Sequence, residues 1–229
     1  MIPNILCIDT SLEVCSVAIG EFYVEETGLN IHSSRLNMVI EKLMQLAGLK
    51  LDEIGAVCID KGPGSYTGLR IGVSTAKGLC YALDKPLIST NTLQTMAYYY
   101  KSISPGNDNQ LLCPMIDARR LEVYYALFDN DLKFIRNTQT GIIDESFLED
   151  ILSEKQVLFL GNGASKCKPF LSSHPNAIFP DLEIYPSAKA MMSFAIQKYE
   201  QKDFEDIFSF EPFYLKDFYF ATPLAKSKK

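Results

Sequence analysis

The sequence predicts an α/β protein of two related lobes, each a mixed sheet flanked by helices. Three observations predict it. A strand that ends in aspartate, turns and returns as a second strand occurs twice, as Ile8-Asp9-Thr10-Ser11-Leu12-Glu13-Val14 and as Ile116-Asp117-Ala118-Arg119-Arg120-Leu121-Glu122-Val123, with one residue inserted at the second turn. Short apolar runs alternate with helical periodicity after each copy. Between the copies lies 102–109, Ser-Ile-Ser-Pro-Gly-Asn-Asp-Asn, dense in helix and strand breakers. It reads as a linker and divides the chain into lobes 1–104 and 110–229.

The elements follow in order. Period-2 patterning makes each aspartate copy a hairpin, with return strands at 14–19 and 123–128. Phe22-Tyr23-Val24 begins a third strand, expected to be clipped because little chain precedes the next helix. That helix is predicted over 33–47, followed by strand 56–60, helix 68–83, strand 86–90 and helix 91–101. Asn91 with Gln94 three residues on resembles a capping box. In the second lobe a helix near 145–153, a strand at 157–160 and a glycine loop from Gly161 to Gly163 are expected. A last helix over 187–200 starts after Pro186 with Ser187 as its cap. The aromatic segment from Phe204 to Phe220 is expected to pack on the second lobe.

Composition sets limits. At 229 residues with 47% apolar and 22% charged residues, the chain can bury a large core. A net charge of −6 argues against this chain alone gripping a nucleic-acid backbone. No apolar stretch is long enough to span a membrane. The six cysteines form no C-x-x-C pair and most sit in apolar runs, so reduced, buried thiols in a cytoplasmic protein are expected. Two histidines, His32 and His174, stand without metal-ligand neighbours, and no metal site is predicted.

The most informative string is Gly62-Pro63-Gly64-Ser65-Tyr66-Thr67-Gly68-Leu69-Arg70-Ile71-Gly72. It joins an apolar strand to an amphipathic helix, and Ser65 or Thr67 can cap that helix. The spacing misses the dinucleotide fingerprint, and Arg70 does not stand in for the phosphate-loop lysine. A packing turn and an anion cradle both remain open. The Gly-x-Ser-x-Gly elbow of serine hydrolases is absent, and with two histidines a triad base would have to be His32 or His174.

Together with Cys7-Ile8-Asp9-Thr10-Ser11, His32-Ser33 heading a helix, and Met115-Ile116-Asp117-Ala118-Arg119, this string resembles the bacterial TsaB (YeaZ) family over most of the chain. The resemblance implies the duplicated fold of actin, sugar kinases and heat-shock chaperones, which is ribonuclease H-like. In that fold each aspartate hairpin and a third glycine loop clasp a nucleotide. The corresponding residues here are Asp9, Thr10, Ser11, Asp117, Arg119, Gly161 and Gly163. Neither hairpin turn retains a glycine, so the cleft is expected to be vestigial, each aspartate tying its own turn. No cofactor of its own is expected, with weak nucleotide binding left open and ATP used by the complex.

The resemblance further implies a non-catalytic scaffold that activates the transferase TsaD in making threonylcarbamoyladenosine next to the tRNA anticodon. TsaE is the second partner, a homodimer is expected in isolation, and tRNA is met only through the complex. The signature loop (Gly62, Pro63, Gly64, Ser65, Thr67, Gly68) and two helix faces are the residues at stake. On helix 33–47 the interface residues expected are His32, Ser33, Leu36, Val39, Ile40 and Leu43; on helix 68–83 they are Arg70, Gly72, Thr75 and Leu79. From periodicity alone these stripes serve equally well as intramolecular packing. The rival function is a stand-alone ATPase or small-molecule kinase using Asp9 and Asp117.

Overall fold

The computed structural model describes residues 2–28, 31–104 and 109–215, with only the backbone of Ile31 and His32. Strands β1 (Asn4–Asp9), β2 (Val14–Ile19), β3 (Phe22–Thr27), β4 (Ile54–Asp60) and β5 (Leu87–Thr90) form one sheet in the order β3-β2-β1-β4-β5. Strands β6 (Gln110–Asp117), β7 (Glu122–Phe128), β8 (Phe134–Ile142), β9 (Gln156–Leu160) and β10 (Ala177–Ile178) form a second, in the order β10-β9-β6-β7-β8. Renumbered within each half, the two orders are the same. In both, the first three strands run as an antiparallel meander, and the fourth joins the first in parallel. The duplication read from two aspartate hairpins is therefore a duplication of whole sheets.

Why the strands read as unbroken apolar runs is clear from the layers. In β1, Leu6 and Ile8 join a core with α1 (Ile31–Ala47) and α2 (Tyr66–Leu83). Ile5 and Cys7 point to the opposite face, against Ala188, Met191 and Ala195 of α6 (Ala188–Gln201). A sheet covered on both faces gains nothing from polar alternation. Helix α3 (Thr92–Ile103) lies on the second sheet, its Leu93, Met96 and Ala97 packed with Leu112, Ile116 and Phe128. Each half thus sends one helix to cover the other half's sheet. The remaining helices, α4 (Glu149–Leu152) and α5 (Lys168–Leu171), are single turns.

The expected caps form: Asn91 accepts from the N–H groups of Leu93 and Gln94, and Ser187 from that of Lys189. Three expectations are corrected. The third strand is not clipped; β3 pairs with β2 from Val14–Thr27 to Ile19–Phe22. Its two glutamates disguised it, yet Glu26 is exposed enough to meet Arg35 and Lys42 of α1. The helix near 145–153 shrinks to α4, because Leu148 takes a left-handed conformation just before it. The aromatic C-terminal segment packs on the first half, with Ile207 and Phe210 against the α1–α2 core and the Glu205 N–H bonded to the Leu87 carbonyl at 2.8 Å. Its Phe218, Tyr219 and Phe220, and linker residues 105–108, lie outside the described residues.

Candidate functional site

The glycine string lies where β4 ends and α2 begins. Gly62 has φ of +107°, and the Gly62–Pro63 peptide is cis. Ser65 is the N-cap of α2, accepting from the Gly68 N–H. The loop folds directly onto the first hairpin turn. The Ser65 N–H donates to the Ser11 carbonyl at 2.6 Å, and the Thr10 hydroxyl donates to the Gly68 carbonyl at 2.8 Å. A Cβ on Gly64 would stand 2.3 Å from the Ser11 carbonyl oxygen, and one on Gly72 2.2 Å from Thr10 Oγ1. These glycines are required because two backbones and a threonine meet there. The loop is a packing turn.

Asp9, Thr10 and Ser11 are buried beneath it. Asp9 Oδ1 accepts the Ser11 N–H at 2.8 Å and the Ser11 hydroxyl at 2.7 Å. Burial pushes the Asp9 carboxyl up to about 6, against the pull of both Ser11 hydrogen bonds, and the Glu25 charge adds to the rise. The Thr10 and Ser11 hydroxyls and one oxygen of the Asp9 carboxylate, which could meet a phosphate or its metal, are thus engaged within the chain. Beside them sits a residue that sequence reasoning missed. Asp60, at the end of β4, is wholly buried; its Oδ1 accepts the Gly62 N–H at 2.8 Å and the Thr92 hydroxyl at 2.6 Å. Burial first and the Asp9 charge second hold it well above the ordinary carboxylate range. A signal existed: Ile59-Asp60 before a turn repeats the pattern of Ile8-Asp9.

The second hairpin differs. Asp117 is exposed at its turn, and its Oδ1 accepts from the Arg119 N–H at 2.6 Å and from Lys166 Nζ. Its own N–H donates to Asn162 Oδ1 at 2.9 Å. Burial pushes this carboxyl up, but the Lys166 bond and the Arg119 N–H outweigh that and hold it below its usual value. Arg119 and Arg120 carry left-handed φ of 70° and 53° and are exposed. Gly161 and Gly163 press on β6: a Cβ would come 2.5 Å from the Met115 carbonyl oxygen at the first and 2.9 Å from Met115 Cβ at the second. Asp9, Thr10 and Ser11 therefore gather around the signature loop, while Asp117, Arg119, Gly161 and Gly163 gather around Asn162 and Lys166. Among the described residues no three or more His, Cys, Asp and Glu side chains are grouped to hold a metal. No helix among them is long and apolar enough to cross a membrane.

The expected interface residues fall into two sets. Leu36, Val39 and Leu43 are spent in the chain's own core, and Gly72 faces Thr10 and Ile59, so these four are corrected to interior positions. Ile40 is also buried, but with Met44 and the half-buried Leu79 it floors a groove of about 400 Å³ between α1 and α2. Leu51, 44% exposed, also lines this groove, and Met38 and Leu46 of α1 are 62% and 57% exposed. Gly78, with nothing within 4 Å of a Cβ, is the open glycine of α2. Ser33 is exposed, Thr75 half-buried, and the side chain of His32 lies outside the described residues. Arg70 lies over the Tyr66 ring at 4.3 Å and donates to the Tyr214 hydroxyl at 3.2 Å. It holds this chain's C-terminal segment on α2.

Two sheets of one topology, each with an aspartate hairpin and a glycine loop pressed against the end of its first strand, define a duplicated two-sheet α/β protein. The family model described as TsaD, tRNA N6-adenosine threonylcarbamoyltransferase, matches residues 26–217. The TsaB protein of Escherichia coli is 29% identical over 225 residues, covering 93% of this chain and 95% of that protein. That of Bacillus subtilis is 31% identical over 181 residues, covering 73% and 75%. A solved Pseudomonas aeruginosa structure, described as an uncharacterized protein similar to peptidase YeaZ, superposes with a TM-score of 0.80 at 22% identity, over 93% of this chain and 100% of that one. The chain belongs to the TsaD-type family and, within it, to the TsaB proteins.

Proposed function

We propose that this chain is a tRNA threonylcarbamoyladenosine biosynthesis protein acting as an accessory subunit, one that docks the TsaD transferase on the outer face of α1 and α2 and supplies no catalytic group. One observation carries the reading. The first half combines an open apolar groove floored by Ile40, Met44 and Leu79 with an aspartate turn whose hydroxyls are already bonded internally. Apolar surface of this kind on a single face suits a protein partner. The occupied turn leaves Asp9 poorly placed to hold a nucleotide and its metal. TsaE is the further partner, tRNA is met through the complex, and ATP is consumed by the complex. Without TsaD, a second copy of this chain covers the same face. The complex works in the cytoplasm.

The geometry selects the test positions. Gly78→Glu and Leu51→Glu put a carboxylate at exposed positions, the second on the lining of the groove, without touching the core, unlike any change at Gly72. Burying that unpaired charge at an interface costs about 3 kcal/mol or more. Both variants are expected to fold, to fail to co-purify with TsaD, and to leave the tRNA modification at the level seen without this chain. Normal complex formation by both would move the interface elsewhere. Steady ATP turnover by the purified chain, abolished in Asp9→Ala, would overturn the non-catalytic role.

A further inference from the structure

Two carboxylates end neighbouring strands with half of each unused. Asp9 and Asp60 follow the register pair Ile8–Ile59 of the parallel β1–β4 ladder, so they stand side by side across one strand spacing, about 4.8 Å. Both side chains are at most 1% exposed. In each, Oδ1 is occupied: Asp9 by the Ser11 N–H and hydroxyl, Asp60 by the Gly62 N–H and the Thr92 hydroxyl. In each, Oδ2 is buried and has no hydrogen-bond partner among the described residues. Thr90, in register with Asp60 on β5, carries a third such oxygen. An isolated buried carboxylate oxygen is costly, and two adjacent ionised carboxylates away from water are costlier still.

We propose that Asp9 and Asp60 form a carboxyl–carboxylate pair that keeps one proton between their free Oδ2 atoms at neutral pH, and that this proton pins the signature loop to the end of β1. The step is a simple protonation: one carboxylate takes up a solvent proton on folding, becomes an O–H donor, and the other accepts. Both orphan oxygens are satisfied at once, and the pair carries one negative charge in place of two. The Oδ1 bonds then transmit the pairing outward, through Ser11 to Ser65, and through Gly62 and Thr92 to the starts of α2 and α3. The surrounding charges agree with a retained proton. Glu25 on β3 accepts from the Ser16 and Ser187 hydroxyls, and its charge raises Asp9 further. The Cys15 and Cys58 thiols are themselves pushed up by burial and stay neutral. The Thr92 and Gly62 hydrogen bonds, and after them the Lys61 charge, pull Asp60 toward ionisation, but burial and the Asp9 charge outweigh them.

The test uses the full-length protein as wild type, Asp60→Asn and Asp9→Asn, in equilibrium denaturation from pH 5 to 9 and in infrared spectra at pH 7. A proton kept on folding makes the unfolding constant rise with pH, by up to about tenfold per pH unit. The wild type is expected to show that slope and the carbonyl band of a protonated carboxyl. Asp60→Asn is expected to flatten the slope and lose the band, because an amide supplies the missing donor without a proton. If Asp60→Asn does not fold, Asp9→Asn replaces it and the wild-type band still decides. Equal slopes in wild type and variants, or no protonated-carboxyl band in the wild type, overturns the pair. Stabilisation of the wild type alone by added sodium, potassium or magnesium overturns it in favour of a bound cation.

Discussion

The two aspartate hairpins occupy the same place in two copies of one sheet, yet Asp9 is 1% exposed and Asp117 stands open beside Lys166. The glycine loops that follow β4 and β9 do not explain the difference. Both press on the end of their half's first strand, Gly64 on Ser11 and Gly163 on Met115 and Ile116. What differs is the helix that comes next. After the first loop the 18 residues of α2 lay Gly68 and Gly72 over Thr10. After the second loop a short 3-10 turn and the four residues of α5 leave the aspartate turn uncovered. A duplicated site has thus been closed in one half by helix packing and left as a charged surface turn in the other.

If close approach of the loop seals the first turn, the largest effect comes from a side chain at Gly64. A Cβ there would lie 2.3 Å from a backbone oxygen and 3.0 Å from a backbone carbon, neither of which can rotate away. Gly64→Val is expected to cost about 3 kcal/mol and to lower the thermal midpoint strongly. Gly78→Ala on α2 meets nothing and is expected to be neutral or stabilising by about 0.5 kcal/mol. A tolerated Gly64→Val would mean that the turn and loop separate easily, and the contrast between the halves would lose its cause.

A smaller effect is expected at the cap. Ser65 accepts from the Gly68 N–H and donates its own N–H to Ser11, so its side chain starts α2 while its backbone ties the turn. Ser65→Ala removes only the first and is expected to cost about 1 kcal/mol in chemical denaturation. Ser65→Gly, which leaves the backbone bond in place, should cost less. An equal loss in both would shift the importance from the cap to the loop's stiffness.

Much of this was legible in the sequence, for a physical reason. Strand–Asp–turn repeats, caps at Asn91 and Ser187, and apolar periodicity are local signals, and the elements they predict are present, the helix near 145–153 only as the single turn α4. The fold class followed from them. What escaped depends on contacts distant in sequence. Gly72 and Gly78 look alike along α2, and only the tertiary position of Thr10 makes one interior and the other open. The path of Phe204 to Tyr214 onto α2 is fixed by Arg70–Tyr214, by Lys77 bonded to the Phe208 and Phe210 carbonyls, and by Tyr81 against Phe208, pairs more than a hundred residues apart. Strand β8 escaped because its Arg136, Asn137, Thr138 and Gln139 read as a polar loop, as an edge strand often does.

The smallest effect is expected at the open turn, and its sign is opposite to that of the buried one. Asp9, raised to about 6, favours the folded state most at low pH, and that contribution is lost as pH rises from its unfolded value through 6. Asp117 is lowered, so its contribution is present above the ordinary carboxylate range and is lost as pH falls through its folded value. Because the Asp117 side chain is 43% exposed, solvent and salt screen the Lys166 pair, and Asp117→Asn is expected to cost less than about 1 kcal/mol at neutral pH. The cost should shrink further in high salt, and the variant should be less sensitive than the wild type to acid. A loss at Asp117 as large as that at Gly64 would mean that the second turn also carries weight in holding its lobe, and that exposure alone does not separate the two copies.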